Sequence, residues 1–486
     1  MRPLRVLAGA AAASLLILLG TVAAYANVAL TQISSDVFTN ATSQHQTEVE
    51  PDTLSFGSTI VSTFQEGRFF NGGASGIGFS TSTNGGKTFT SGILQATVFS
   101  GAKYDRASDP SVAFDARHGV WLISWLGLIT PDPANENSFK VDVLVSRSTD
   151  GGKTFGAPVA VDAPGTQFFD KNWTTCDTTP TSPFYGNCYT EFDNAGLNDL
   201  VQMSTSSDGG LTWGPAQGTG NHALGLGGQP LVQPNGTVVV PVINAFETTM
   251  LSFVSTNGGA SWSITSVISN VRDHANSGGL RTSPLPSAEL DAAGNVYVAW
   301  QDCRFRRGCS SNDIVLSKSS DGVHWSPVSR VPIDPVTSGA DHFIPGLGVD
   351  RSTAGASAHL GLTYYFYPSA ACTPATCQLD VGFISSTNGG STWSAPTQLA
   401  GPITLSWLPS TSQGVMVGDY IATSILTGQA WGPFALASAP SGGLFDEAMF
   451  VPTGGLAVTG GTHAAADPVV STSSDHPAST VPLTAQ

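Results

Sequence analysis

Charge is what this sequence has least of. Only 11% of its 486 residues are Asp, Glu, Lys or Arg, with 19 Lys+Arg against 35 Asp+Glu. No run of Lys or Arg appears, which excludes the basic face of a nucleic-acid binder. The formal charge of −16 fits solubility outside the cell and weighs against an anionic polymer as the main ligand. Long apolar runs are also missing after the first residues, so no later segment can span a bilayer. Cysteine is scarce too. There are six, none in a C-x-x-C pair near a His, so the usual pattern of a zinc site is absent.

What is abundant is turn-forming residue: 55 Gly and 30 Pro. Short strands joined by many turns fit that composition better than helices do.

Residues 1–26 read as a signal peptide. Arg2 and Arg5 form its basic end, Leu7 to Ala23 its apolar run, and Ala24-Tyr25-Ala26 an A-x-A cleavage site. An uncleaved membrane anchor is the alternative. Residues 27–461 read as one domain. Residues 462–486 are rich in Ala, Ser, Thr and Pro and read as a disordered tail. The expectation is a secreted, extracellular monomer.

Cysteine spacing and the secretory signal favour three local disulfides, Cys176/Cys188, Cys303/Cys309 and Cys372/Cys377, with a metal site as the alternative. No cofactor is expected. A structural cation is possible, but nothing in the sequence indicates one.

One short stretch recurs six times. Ser206-Ser207-Asp208-Gly209-Gly210 leads to Trp213. The same grammar appears in Ser82-Thr83-Asn84-Gly85-Gly86, Ser148-Thr149-Asp150-Gly151-Gly152, Ser255-Thr256-Asn257-Gly258-Gly259, Ser319-Ser320-Asp321-Gly322 and Ser386-Thr387-Asn388-Gly389-Gly390. The aromatic anchors Phe89, Phe155, Trp213, Trp262, Trp325 and Trp393 are spaced by 49 to 68 residues. A turn returning at such intervals marks a repeat architecture. An Asp or Asn oxygen accepts backbone N–H groups just ahead of it, Gly supplies positive φ, and the aromatic ring can bury between neighbouring sheets.

The set resembles the Asp box, or BNR repeat, of sialidases and related β-propellers, over about residues 50 to 452. The resemblance implies an all-β propeller. Six boxes give six blades. An unboxed segment with runs at Val415 to Ser424, Ala430 to Ala437 and Glu447 to Val451 follows, and Val28 to Phe38 precedes. Joined, they make a seventh blade closed by the N-terminal strand, which removes an exposed edge. Seven four-stranded blades are therefore expected, six being the alternative.

In such a fold the starts of the innermost strands crowd one mouth. Those positions carry Glu50 and Asp52; Arg106 and Asp109; Asp170, Lys171 and Asn172; Gln229; Arg281; His342; and Asp419 with Tyr420. Convergent polar groups of this kind make a pocket. The expected ligand is a glycan or cell-surface group. Asp109, Asp170 and Asp419 are the candidate proton donors. Arg281, Lys171, His342, Arg106 and Tyr420 are the candidate substrate-binding residues, Arg281 for a ligand carboxylate. Asp302 and Arg304 read as a loop ion pair beside a disulfide.

The resemblance further implies an exo-glycosidase of sialidase type, with an Arg-Ile-Pro near the first blade, three arginines on the substrate carboxylate, a Tyr–Glu nucleophile pair and an Asp acid/base. Here the first blade opens Glu50-Pro51-Asp52-Thr53, without arginine, and the nearest match, Arg330-Val331-Pro332, follows the fifth box. Arg68, Arg106, Arg281 and Arg304 are the candidates for the clamp. Tyr420 or Tyr364 with Glu289 or Glu447 are the candidates for the pair. A non-catalytic propeller binding glycan or protein at the same mouth is the alternative.

Overall fold

A computed structural model describes residues 25–95, 103–132, 134–135 and 138–464. Most of the expected signal peptide and tail therefore lie outside the described residues. Within them, Tyr25–Ala26 pairs with Thr397–Thr404, and His463–Ala464 of the expected tail pairs with Thr392–Trp393. No helix of the described chain is long and apolar enough to cross a membrane. Its regular structure is strand, interrupted only by three-residue helical turns.

The strands form consecutive antiparallel units. The first is Gln44–Phe56, Thr59–Arg68, Ala74–Ser82 and Thr90–Ile93. The second is Arg106–Asp115, Val120–Ile129, Lys140–Ser148 and Val159–Asp162. The third is Phe169–Cys176, Cys188–Asn194, Leu200–Ser206 and Gln217–Gly218. In the fourth the first strand is broken into Gly225–Leu226 and Leu231–Val232, followed by Val238–Asn244, Thr249–Ser255 and Ser266–Asn270. The fifth is Ser287–Leu290, Val296–Asp302, Asp313–Ser319 and Ser329–Arg330. The sixth is Asp341–Val349, Leu360–Tyr367, Gln378–Ser386 and Thr397–Thr404.

The last segment holds Ser424–Leu426, Gln429–Trp431, Phe434–Ala437 and Glu447–Pro452. The N-terminal strand Leu30–Gln32 pairs onto it, Leu30 opposite Pro452 and Gln32 opposite Phe450. One expected strand is corrected. Val415 to Ser424 is not continuous, and only Gly414–Val415 and Ser424–Leu426 are strands. At Gly418 φ is 143°, and a Cβ there meets the Glu50 backbone at 2.9 Å, so the chain turns inward instead of extending.

The six recurring turns each join a third strand to a fourth. In all of them the Ser Oγ accepts a glycine N–H, from Gly86 at 2.9 Å, Gly210 at 3.0 Å and Gly322 at 2.8 Å among others. The Asp or Asn Oδ1 accepts the N–H of Thr88, Thr154, Thr212, Ser261, His324 or Thr392. The aromatic anchors reach back to the preceding unit. Phe155 packs on Phe79 at 4.8 Å, Trp262 on Tyr189 at 6.3 Å, and Phe89 on Trp431 of the last segment at 5.9 Å.

The core follows the same order. One cluster joins Val61 and Phe79 of the first unit to Trp121 and Trp125 of the second. Another joins Leu122 to Phe192, and a third Tyr189 to Val240. The largest unites Tyr365 of the sixth unit, Phe434 and Met449 of the last segment, and Phe64 of the first. Packing therefore runs in a cycle. Each buried aromatic ring contributes about 1.5–3 kcal/mol. A central cavity of ≈ 40 Å³ is lined by a first-strand or equivalent residue of every group: Asp52, Val112, Thr174, Leu231, Ser287, Leu347 and Ala422. The expected disulfides all form, with Cα–Cα distances of 4.0 Å (Cys176–Cys188), 4.8 Å (Cys303–Cys309) and 4.9 Å (Cys372–Cys377).

Candidate functional site

Four first strands carry a bulge near their start. The register slips between Val49 and Asp52, Ser108 and Ser111, Asp170 and Trp173, and Phe343 and Gly346. The extra residue takes a left-handed backbone in each: Glu50 (φ 57°), Asp109 (φ 47°), Lys171 (φ 51°) and Ile344 (φ 49°). Three of the four precede a proline, Pro51, Pro110 and Pro345, which has no N–H to give to a ladder. A bulge re-aims its side chain. Non-glycine residues held this way cost about 1–3 kcal/mol each and cluster at functional sites. Here three of the four are charged.

Those three line one pocket, a cavity of ≈ 220 Å³ whose walls include Glu50, Arg68, Asp109, Asp170, Lys171 and Arg281. The lining also includes the apolar side chains of Leu126, Leu128, Phe139, Val141, Phe168 and Phe169.

Asp419 anchors the cations at this site. Lys171 Nζ lies 2.5 Å from its Oδ2, Arg281 Nε donates to its Oδ1 at 2.7 Å, and Arg281 Nη2 donates to its Oδ2. Burial opposes the Asp419 charge, but Arg281 and Lys171 outweigh it and hold the carboxyl well below the usual range. Asp419 is therefore an ionised anchor and not a proton donor. Burial likewise opposes Lys171 and Arg281, yet Asp419 above all raises both.

The other carboxyls go the opposite way. Burial, then Asp109 and Asp419, push Glu50 up to about 8. Burial, then Asp109, push Asp170 up to about 6. Glu50 accepts hydrogen bonds from Gln65 Nε2 and from Asp419 N at 3.3 Å. Asp109 Oδ2 has no hydrogen-bond partner and lies 3.8 Å from Lys171 Nζ. Arg68 Nη1 donates to Gln65 at 3.1 Å and Gly73 O at 2.7 Å, while its buried Nε has no partner. Burial and then Arg281 lower the Arg68 pKa.

The remaining expected residues are placed differently. Arg106 donates to Asn71 Oδ1 at 2.7 Å and Gly72 O at 2.8 Å and stacks on Phe69 at 4.1 Å. It braces the loop that supplies Asn71 and Gly72 to the wall. Tyr420 is buried, gives its hydroxyl to Pro110 O at 3.1 Å, and meets Trp173 edge-on at 5.2 Å.

His342 is corrected. It does not share this pocket but stacks on Phe366 at 5.9 Å, with Nδ1 3.4 Å from Asn312 O. Burial pushes it down to about 4, so the ring is neutral. Its ligand atoms lie within 4.8 Å of Asp313 and Asp334, the trio among the described residues spaced for a cation. Both carboxylates are already engaged by Arg306 and Arg330, at 2.6 to 2.8 Å for the contacts with Asp313 and at 2.6 Å for Arg306 with Asp334. Two guanidinium charges there oppose a metal ion.

The sialidase-type constellation is met in part. Of the four candidate arginines, Arg68 and Arg281 line the pocket, Arg106 lies behind its wall, and Arg304 pairs with Asp302 at 2.6 Å. No candidate Tyr–Glu pair is joined. Tyr420 bonds Pro110, Tyr364 meets His342 at 5.7 Å, Glu289 pairs with Arg351 at 3.0 Å, and both Glu447 oxygens are buried without a partner.

No protein-family model matches the chain, and no curated protein matches it. Among solved structures it is similar to a polysaccharide lyase, an ulvan lyase bound to -[GlcA(1-4)Rha3S]-. That likeness has a TM-score of 0.51 and 11% identity and covers 90% of this chain and 97% of that one. A protein of unknown function from Dyadobacter fermentans gives 0.47 at 15% identity, covering 74% and 99%. A Hadza microbial sialidase gives 0.42 at 13% identity, covering 87% and 95%. The lyase match shows a shared fold. The chain is all-β, with sialidases and a polysaccharide lyase among its structural neighbours.

Proposed function

We propose that the protein is a secreted glycan-active β-propeller of seven blades, acting as a glycosidase on a sugar that carries a carboxylate. The carrying observation is the pocket itself. Raised carboxyls and three cations share one cavity with apolar side chains, and a sugar presents both apolar ring faces and polar edges. The cyclic packing and the paired N-terminal strand support seven units. Three disulfides support an oxidising, extracellular setting.

Asp170 has the proton affinity a general acid needs near pH 6. It gives its proton to the glycosidic oxygen as the bond from the sugar carbon breaks and its electron pair goes to that oxygen. A water adds to the sugar carbon, and Asp109 takes the water's proton through its unpartnered Oδ2. Arg68, with Nε unpartnered, faces the sugar carboxylate beside Arg281. The ulvan lyase, bound to a uronate-containing fragment, and the sialidase neighbour set the substrate classes to try.

The test is a panel of sialosides and uronate-containing oligosaccharides on wild type, Asp109→Asn, Asp170→Asn and Arg68→Ala. Hydrolysis lost with the aspartate variants and KM raised by Arg68→Ala is the expected result. Unchanged turnover in all three overturns the site. No hydrolysis by wild type, with glycan binding lost in the variants, moves the protein to the binding class.

A further inference from the structure

Asp170 does not stand alone on its sheet. Its cross-strand neighbour is Asp193, with Phe169 opposite Asn194 in the same register. Directly opposed residues of an antiparallel pair project to one face with Cβ atoms about 5 Å apart, and like charges there repel. Asp193 is 1% exposed, and its Oδ1 has no hydrogen-bond partner. Lys171, the cation of that strand, turns its ammonium to Asp419 at 2.5 Å and Asp109 at 3.8 Å. The groups acting on Asp193 are therefore Asp170, Asp109 and Lys171 from neighbouring strands, Asp199 beyond its own strand and Glu191 on it. All but one are acidic.

We propose that Asp193 keeps its proton through neutral pH and donates it as a hydrogen bond to the Asp170 carboxylate, as the positioning residue behind the proton-transfer group. A buried carboxylate opposed across the strand pair to a half-buried one cannot ionise cheaply while its neighbour is charged, and one retained proton relieves the repulsion. It also gives the orphaned oxygen of Asp193 a role, since buried polar atoms without partners are rare. Burial first, then Asp170 and Asp199, raise the Asp193 pKa well above the usual range, consistent with that arrangement. The catalytic consequence rests on the glycosidase reading. The shared proton does not.

The protein labelled with aspartate carboxyl ¹³C is titrated by NMR, with signals assigned by their loss in Asp170→Asn and Asp193→Asn. The expected result is an Asp193 carbon still protonated at neutral pH, after the Asp170 carbon has ionised. Hydrogen bonding to a carboxylate favours the charged form. Asp193→Ala, which removes the donor, should therefore raise the Asp170 midpoint by about one unit, a tenfold gain in proton affinity. Asp193→Asn restores a donor and the original midpoint. An Asp193 carbon that ionises near pH 4, or an Asp170 midpoint unmoved by Asp193→Ala, overturns the proposal. Should Asp193→Ala fail to fold, the Asp193 signal of wild type decides alone. Glycan hydrolysis unaffected by Asp170→Asn defeats the proposed function but leaves this titration standing.

Discussion

The recurring turns and the strand-start bulges use the same residue type in opposite ways. In the turns, slight burial opposes the Asp150 charge, but the hydroxyl and N–H of Thr154 with Ser148 outweigh it, and the carboxyl falls to about 2. Asp208 is lowered by an equivalent set of donors. In the bulge region, burial and like charges raise Glu50 and Asp170. A carboxylate given backbone donors stabilises a turn. In the bulge region Glu50 and Asp170 each accept a backbone N–H as well, but burial and neighbouring carboxylates outweigh it and favour the protonated form. Acidic residues in this chain therefore sort by whether burial and like charge outweigh their donors, not by their spacing.

The sharpest way to break that comparison is to mutate one carboxylate from each set. Asp170→Asn should cut kcat by about 10²–10⁴, while Asp150→Asn leaves kcat within about twofold. Equal losses in both would erase the distinction. Next in size is the anchor. Asp419→Ala leaves two half-buried cations without their shared buried anion, and unfolding by denaturant should show a loss of about 2–3 kcal/mol, below the figure for a fully buried pair.

The pH dependence of stability separates the two sets by sign. Burial and like charges push Glu50 in the folded chain up to about 8, well above the ordinary carboxylate range. Its contribution is fully present below the unfolded value and is lost as pH rises through the folded one. Between about pH 5 and 8, Glu50→Gln should remove one proton's share of that decline, about 1.4 kcal/mol per pH unit. Asp150 has the opposite sign. Its contribution is present above its unfolded pKa and is lost as pH falls toward 2. Melting curves across pH 3 to 9 check both. The smallest effect is expected from a turn. Asp208→Ala removes the acceptor for Leu211 N at 2.9 Å and Thr212 N at 3.0 Å. It should cost about 1–2 kcal/mol without changing turnover.

Legibility followed the same division. The turns were readable because their physics is local: Ser Oγ, Asp Oδ1 and Gly φ act within five residues. The cysteine pairs were readable for the same reason. Asp109, Asp170, Lys171 and Arg281 were found by position, as residues at strand starts. Arg68 was named only as a clamp candidate, because it ends a second strand, Thr59–Arg68, and reaches the pocket through tertiary packing. Glu50 stood in the polar ring but outside the ligand set. The shared Glu50-Pro51 and Asp109-Pro110 pattern was the available signal. Asp193 carries no local signal, since only the register of its strand places it opposite Asp170. His342 fits the positional rule and fails it in space, because Asp313, Asp334 and their arginines surround it instead.

The central claim is that the bulge-lined pocket is where a glycan reacts. A crystal structure of Asp170→Asn soaked with a uronate- or sialate-terminated oligosaccharide tests it most directly. The account predicts the sugar carboxylate within hydrogen-bond distance of Arg68 and the glycosidic oxygen beside residue 170. Glycan bound elsewhere, with this pocket filled only by water, would contradict it.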